Sequence, residues 1–236
     1  MLNRFARALF TRLFTPVAHA LLRRGVSPDA VTLVGTLGVV AGALALYPLG
    51  QLFWGTVVIT LFVFSDTVDG IMARTAGRSS AWGAFLDSTL DRVGDAAVFG
   101  GLVLYFAGRG DDLPMAALSL ACLVLGSIVS YARARAEGLG MRANVGIAER
   151  ADRLVAVLVT TGLVGLGLPM VVLTVVLILL AVASVVTVVQ RMLLVRSQAL
   201  AALAGAAPAS PSGTATSPYG PTAAGTAAES AGPADE

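Results

Sequence analysis

The chain contains no lysine, so all 16 of its basic side chains are arginine. It has one cysteine, Cys122, and one histidine, His19. A single cysteine excludes an intrachain disulfide and gives no metal-binding spacing; in its apolar run Cys122 is expected to pack in the core or face lipid. His19 has no second His or Cys nearby and is expected as a surface residue rather than a ligand. Charge of either sign is scarce: 13% of the 236 residues are charged, against 56% hydrophobic. With a mean hydropathy of +0.83, that balance excludes an ordinary soluble domain and implies an integral membrane protein. No nucleic-acid partner is expected.

What is present is a series of apolar windows about 20 residues long, enough to cross roughly 30 Å of hydrocarbon. They fall near 31–49, 52–73, 84–107, 113–132, 151–168 and 170–195, so an all-α protein of six transmembrane helices is expected. The fifth is short of apolar residues: only Leu154 to Leu168 is free of charge, and its first turn would come from Arg150 to Arg153. The arginines set the orientation. Arg4, Arg7, Arg12, Arg23 and Arg24 precede the first window, Arg74 and Arg78 lie between the second and third, and Arg133, Arg135, Arg142, Arg150 and Arg153 surround the connection between the fourth and fifth. Arg191 and Arg196 end the sixth, and Arg109 stands alone on the opposite side. The positive-inside rule then puts both termini in the cytoplasm of a multi-pass protein of the cell membrane.

The two ends differ from the middle. At 100° per residue, Leu2, Phe5, Leu9, Phe10, Leu13 and Val17 share one side, and Arg4, Arg7, Thr11, Arg12, Thr15 and His19 the other. Residues 1–26 are therefore expected to be an amphipathic helix at the membrane surface. Arginines at 4, 7 and 12 interrupt the apolar core that a cleavable signal peptide needs. A catalytic membrane domain is expected over 27–198. Residues 199–236, rich in Ala, Gly, Ser, Thr and Pro, are expected to form a disordered tail.

Within the apolar sequence stands the string Asp66-x-x-Asp69-Gly70-x-x-Ala73-Arg74, eight further residues, then Gly83-x-x-x-Asp87-x-x-x-Asp91. Carboxylates in or beside membrane helices cost several kcal/mol each unless they are compensated, and a divalent cation is a ready compensation. Asp66 and Asp69 are three residues apart, Asp87 and Asp91 four apart, so each pair shares a helix face. An antiparallel hairpin turning near 75–82 brings the pairs to matching depth, one to two turns below the cytoplasmic surface. Oxygen donors without His or Cys suit Mg²⁺ or Mn²⁺. Gly70 and Gly83 remove side chains where a nucleotide could approach, and Arg74 can neutralise a diphosphate. Metal polarisation plus one carboxylate acting as base makes a phosphoryl-type transfer. By contrast, Gly35-x-x-Gly38 and Gly162-x-x-Gly165 read as helix packing.

At these residues the chain resembles the CDP-alcohol phosphotransferase family, whose signature D-x-x-D-G-x-x-A-R-x8-G-x3-D-x3-D is met at every position over a core spanning roughly residues 20–196. The resemblance implies transfer from a CDP-linked lipid or alcohol to an acceptor hydroxyl with release of CMP, two divalent cations and no covalent enzyme intermediate. It implies that Asp66, Asp69 and Asp87 hold one ion, and Asp66, Asp87 and Asp91 the other, with Asp91 also the general base. It further implies a pocket for CDP-diacylglycerol from Pro28, Asp29, Ala30, Val31 and Thr32, completed by Gly70, Arg74, Ser80 and Gly83. Many relatives have Asn where this chain has Asp29; either residue can cap a helix, but an amide contact to cytidine is then in question. A homodimer is implied as well.

The acceptor rests on a second set of residues. Ser130-Tyr131-x-x-Ala134-Arg135-Ala136-Glu137 and Glu149-Arg150-x-x-Arg153, with Arg191, bring arginines from three helix ends to the catalytic side. Ser130, Arg133, Arg135, Arg153 and Arg191 suit an acceptor that is itself a phosphate ester, since a phosphate offers several oxygens to guanidinium groups. The pattern resembles the actinobacterial branch of the family that uses 1D-myo-inositol 3-phosphate, with Arg133 standing where Lys is expected. Four other readings stay open on the sequence: glycerol 3-phosphate as acceptor, arginines that only mark topology and touch lipid headgroups, a cation transporter whose pathway would include Asp95, and a non-catalytic membrane partner with no need for Asp91.

Overall fold

The computed structural model describes residues 2–77, 80–147 and 149–206, and among these there is no strand. Eight helices follow in chain order: α1 Leu2–Arg23, α2 Pro28–Leu46, α3 Leu52–Val63, α4 Ser65–Thr75, α5 Ala81–Ala107, α6 Leu113–Gly138, α7 Arg150–Gly165 and α8 Met170–Ala206. The expected Arg78 and the tail from 207 onward lie outside the described residues.

Local signals account for the helix starts. Ser27 is the N-cap of α2, its hydroxyl accepting from the Ala30 N–H at 3.2 Å, with Pro28 in the first turn. Asp29 therefore lies inside the helix and is not its cap, and α2 begins ahead of the apolar window at 31. Ser80 caps α5 in the same way, accepting from the Gly83 N–H at 3.0 Å, and Asp112 caps α6 through the Met115 N–H at 3.0 Å. An acceptor at this position satisfies an N–H that the first turn leaves without a partner.

Three windows end differently from their apolar limits. The span expected over 52–73 is two helices, α3 and α4, meeting at Phe64. At that junction Ser65 donates its hydroxyl to the Phe62 carbonyl at 2.6 Å, a side-chain bond that competes with the backbone ladder and bends a helix. Helix α6 runs beyond residue 132 to Gly138, carrying Arg133 and Arg135. Helix α8 runs beyond 198 to Ala206, because the segment Ala199-Leu200-Ala201-Ala202-Leu203 consists of strong helix formers. The expected start of the tail at 199 thus falls inside a helix.

The core is built by close helix approach. A Cβ on Gly35 would overlap the Ser65 hydroxyl, and one on Gly38 the ring of Phe62, so α2 packs directly against the α3–α4 junction. Gly162 and Gly165 give the same access between α7 and α3, at Thr56 and Phe53. The packing role expected of both glycine pairs is what these contacts show. Around them, Tyr47, Ile59, Val98, Leu102, Phe106, Val157, Leu173 and Leu177 are fully buried. Cys122 belongs to this core and directs its thiol to the Leu177 carbonyl at 3.3 Å.

Helix α1 packs on α4 through Phe14, Ala18, Leu21 and Leu22 against Val68, Ile71 and Met72. Leu13 and Val17, on the expected apolar side, stay exposed, as does His19. The side chains before residue 13 are not among those described. Among the described residues, four stretches are long and apolar enough to cross a membrane: α2, the α3–α4 run Leu52–Thr75, α6 and α8 as far as Leu203. The chain is therefore a multi-pass membrane protein. Helix α5 departs from this pattern because Asp87, Asp91, Arg92 and Asp95 stand between its first turn and its middle, and α7 because it has only 16 residues.

Candidate active site

The four motif carboxylates sit on α4 and α5, but these two helices do not meet as a tightly packed hairpin. Helix α2 packs against both and is their common partner, with α1 also on α4 and α6 also on α5. Like-charged carboxylates offer no apolar surface to draw α4 and α5 together, so α2 supplies it. The side chain of Asp66 is not among those described. Asp69 is buried, and the Thr32 hydroxyl of α2 donates to its Oδ2 at 2.5 Å. Thr32 was expected in the nucleotide pocket; here it ties the start of α2 to the first half of the motif.

The other residues expected to hold the nucleotide fall into two groups. Asp29, Ser80 and Gly83 stand together: a Cβ on Gly83 would meet the Ser80 hydroxyl at 3.4 Å and the Asp29 carboxylate at 3.9 Å. Gly70 lies beneath Arg74, whose guanidinium would be 3.4 Å from a Cβ at that position. A side chain at either glycine would fill the space its neighbours leave. Pro28, Ala30 and Val31 occupy the first turn of α2 beside Asp29.

Asp91 is bound by arginine on both oxygens. Arg150 Nη1 lies 2.7 Å from its Oδ1 and Arg92 Nη2 3.7 Å from its Oδ2. Arg150 also reaches Asp95 Oδ1 through Nε at 3.1 Å, and Arg153 Nη2 approaches Asp95 Oδ2 at 3.5 Å. Among the described residues no three metal-ligating side chains are drawn into one cluster. The donor chemistry nevertheless fits a hard divalent ion: the side chains are carboxylates alone, and at Asp91 a guanidinium already supplies the positive charge that a cation would bring. Asp66, Asp69, Asp87 and Asp91 are the residues that would hold it.

Asp87 and Asp91 face the acceptor set across one cavity of about 990 Å³, which is also lined by Ser130, Arg133, Arg153 and Arg191. Within it Arg133 forms an exposed pair with Glu137 one turn on, at 2.9 Å. Arg191 is buried and donates from Nε to the Val145 carbonyl at 2.9 Å and from Nη1 to the Val129 carbonyl. Arg153 is 3% exposed, yet its Nε and Nη1 have no hydrogen-bond partner. Arg135 does not join this group; it is exposed on α6 and does not line the cavity.

Sequence reasoning passed over Arg92, which lines the cavity and donates to the Ser130 hydroxyl. It also gave no role in binding or catalysis to Arg150 or Asp95. The spacing of Asp95, four residues beyond Asp91, was a readable signal that the acidic face of α5 extends one turn further.

These features define a polytopic phosphotransferase site, with an acidic signature on two helices and a basic cavity beside it. A sequence profile of the CDP-alcohol phosphatidyltransferase family matches residues 25–148, and the chain belongs to that family and is a transferase. A phosphatidylinositol phosphate synthase from Streptomyces avermitilis is 56% identical over 205 residues, covering 84% of each chain. One from Cutibacterium acnes is 53% identical over 166 residues, 70% of this chain and 80% of that one. The crystal structure of the Mycobacterium tuberculosis phosphatidylinositol phosphate synthase with CDP-DAG bound matches with a TM-score of 0.75 at 46% identity, over 78% of this chain and 94% of that one. A second crystal structure of that protein, in complex with manganese and citrate, gives 0.73 at 45% identity. Membership of the family sets aside a cation transporter.

Proposed function

We propose that this chain transfers the phosphatidyl group of CDP-diacylglycerol to 1D-myo-inositol 3-phosphate, giving phosphatidylinositol phosphate and CMP. The observation that carries the acceptor is Arg153: a guanidinium 3% exposed, with two nitrogens, Nε and Nη1, unpartnered, at a cavity that also holds Arg133 and Arg191. Buried donors without partners cost free energy, and a phosphate ester supplies the missing acceptors.

In the reaction, Arg153 and its neighbours hold the acceptor's phosphate while its ring hydroxyl faces Asp91. Asp91 takes the hydroxyl proton as the oxygen attacks the phosphorus bearing diacylglycerol. A new P–O bond forms, the P–O bond to the bridging diphosphate oxygen breaks, and CMP leaves with that oxygen and both electrons of the broken bond. Mg²⁺ or Mn²⁺ held by Asp66, Asp69, Asp87 and Asp91, in two sites, would supply neutralisation of the diphosphate charge. Asp29, Ser80, Gly83, Gly70 and Arg74, with the first turn of α2, hold the CDP moiety, and the grouping of Asp29, Ser80 and Gly83 at the start of α2 and α5 supports that reading.

The same proposal includes six membrane crossings, counting α5 and α7, with the site and both termini cytoplasmic and the enzyme a homodimer. Exposure of Leu13 and Val17 on α1 supports a helix lying in the membrane surface with that side toward lipid.

The decisive experiment measures CMP release by the purified chain from CDP-diacylglycerol with each acceptor in turn. Release is expected only with inositol phosphate and Mg²⁺ or Mn²⁺, and is expected to stop on chelation. Equal or faster turnover with glycerol 3-phosphate would transfer the assignment to a phosphatidylglycerophosphate synthase.

A further inference from the structure

Asp95 lies outside the signature, and with the transporter set aside no role above includes it, yet it is 7% exposed. A carboxylate buried to that degree is tolerated only with compensating partners. Its partners are two arginines of one helix: Arg150 Nε at 3.1 Å and Arg153 Nη2 at 3.5 Å. Arg150 and Arg153 are three residues apart and share a face of α7, and Asp91 and Asp95 are four apart and share a face of α5. Two acids on one helix thus meet two arginines on another, with Arg150 touching both acids.

The opposite side of Arg153 is closed by a glycine. A Cβ on Gly126 of α6 would stand 3.1 Å from Arg153 Nη2, 3.2 Å from Cζ and 3.3 Å from Nε. The guanidinium therefore lies flat over bare backbone, and any side chain at that position would push it off. Asp95 holds one end of the group at Nη2, Gly126 admits its plane, and Nε and Nη1 are left with hydrogens to donate.

We propose that Asp95 is a positioning residue for the acceptor site. It fixes the Arg153 guanidinium over Gly126 at the wall of the cavity, so that its charge is held where an acceptor phosphate enters, and through Arg150 it shares a cation with Asp91. The inference rests on the phosphorylated-acceptor reading. Its distinguishing property is that Asp95 acts on acceptor binding through Arg153 and makes no contact with the acceptor itself.

A double-substitution cycle tests it. Steady-state CMP release is measured for the intact chain, Asp95→Asn, Arg153→Gln and the double variant, varying the acceptor at saturating CDP-diacylglycerol and then the reverse. Asp95→Asn is expected to raise the acceptor KM at least tenfold and leave the CDP-diacylglycerol KM within twofold. The double variant is expected within threefold of Arg153→Gln alone, since a residue acting through Arg153 has nothing left to act on. An unchanged acceptor KM in Asp95→Asn overturns the proposal, as does a double variant showing the product of the two single effects. Gly126→Ala displaces the guanidinium without touching a charge, so it should show the same KM split; it decides the matter if Asp95→Asn does not fold. Failure of both to fold overturns the proposal and leaves Asp95 to the core alone. Should the intact chain reject inositol phosphate, the acceptor reading fails by itself and the cycle is run with glycerol 3-phosphate on the same criteria. Absence of CMP release with either ester overturns both.

Discussion

Replacing Arg153 with Gln separates binding from folding more cleanly than any other change in the basic cavity. Two guanidinium nitrogens, Nε and Nη1, have no partner, and a hydrogen bond to a charged group contributes about 1.5–3 kcal/mol. Glutamine keeps an amide donor near the position of Nε, but it is two bonds shorter and loses the charge and the donors at the end of the guanidinium. The net loss is therefore about one charged hydrogen bond, or roughly a 10- to 100-fold rise in acceptor KM. Stability should fall less than it does when a buried ion pair loses one member, about 3–5 kcal/mol, because Asp95 keeps Arg150 at 3.1 Å. The assay is CMP release at saturating CDP-diacylglycerol over a range of inositol phosphate, with thermal unfolding in detergent alongside. An acceptor KM within twofold of the parent, or an equal rise in both KM values, would refute the reasoning.

Three further outcomes are expected. Asp91→Asn should lower kcat by at least about 100-fold, the lower end of general-base contributions, while binding of CDP-diacylglycerol by calorimetry persists; retained turnover would remove Asp91 as base. Arg191→Gln should raise the acceptor KM and also lower the unfolding temperature, since Arg191 donates to the carbonyls of Val129 and Val145; an unchanged unfolding temperature would count against that structural role. Gly35→Ala should destabilise the protein by about 1–3 kcal/mol, the usual penalty for forcing atoms into a filled space, because the new methyl overlaps the Ser65 side chain; denaturant unfolding checks this.

The parts legible in the sequence are those written in local spacing. The signature from Asp66 to Asp91, split between α4 and α5 at fixed spacing, the glycine pairs of α2 and α7 and the apolar windows are all patterns readable from residue spacing alone. The break at Phe64 is different: no Pro or Gly marks it, and it depends on the Ser65 hydroxyl finding the Phe62 carbonyl where Gly35 lets α2 approach. The central place of α2 was hidden for the same reason. Its buried face is built of small residues, and only the fold shows that Thr32 meets Asp69. Arg150 read as a topology marker because its charge satisfies the positive-inside rule whichever way it points. What separates it from Arg135 is a pair of carboxylates on another helix, which no single-sequence pattern registers.

The acidic and basic halves of the site are electrically one object. Arg150 bridges Asp91, the proposed base, and Asp95, which holds Arg153 of the acceptor cavity. In a medium of low dielectric these charges interact strongly, and removing any one changes the compensation of the others. A cation bound at Asp91 would compete with Arg150 for the carboxylate, and a guanidinium withdrawn from Asp91 still has Asp95 as a partner. The donor-side metal and the acceptor-side arginines are therefore coupled through a side chain that belongs to neither set. Effects of single substitutions among Asp91, Asp95, Arg150 and Arg153 cannot be summed to give the worth of the cavity, and only cycles that pair them measure which contact carries the acceptor.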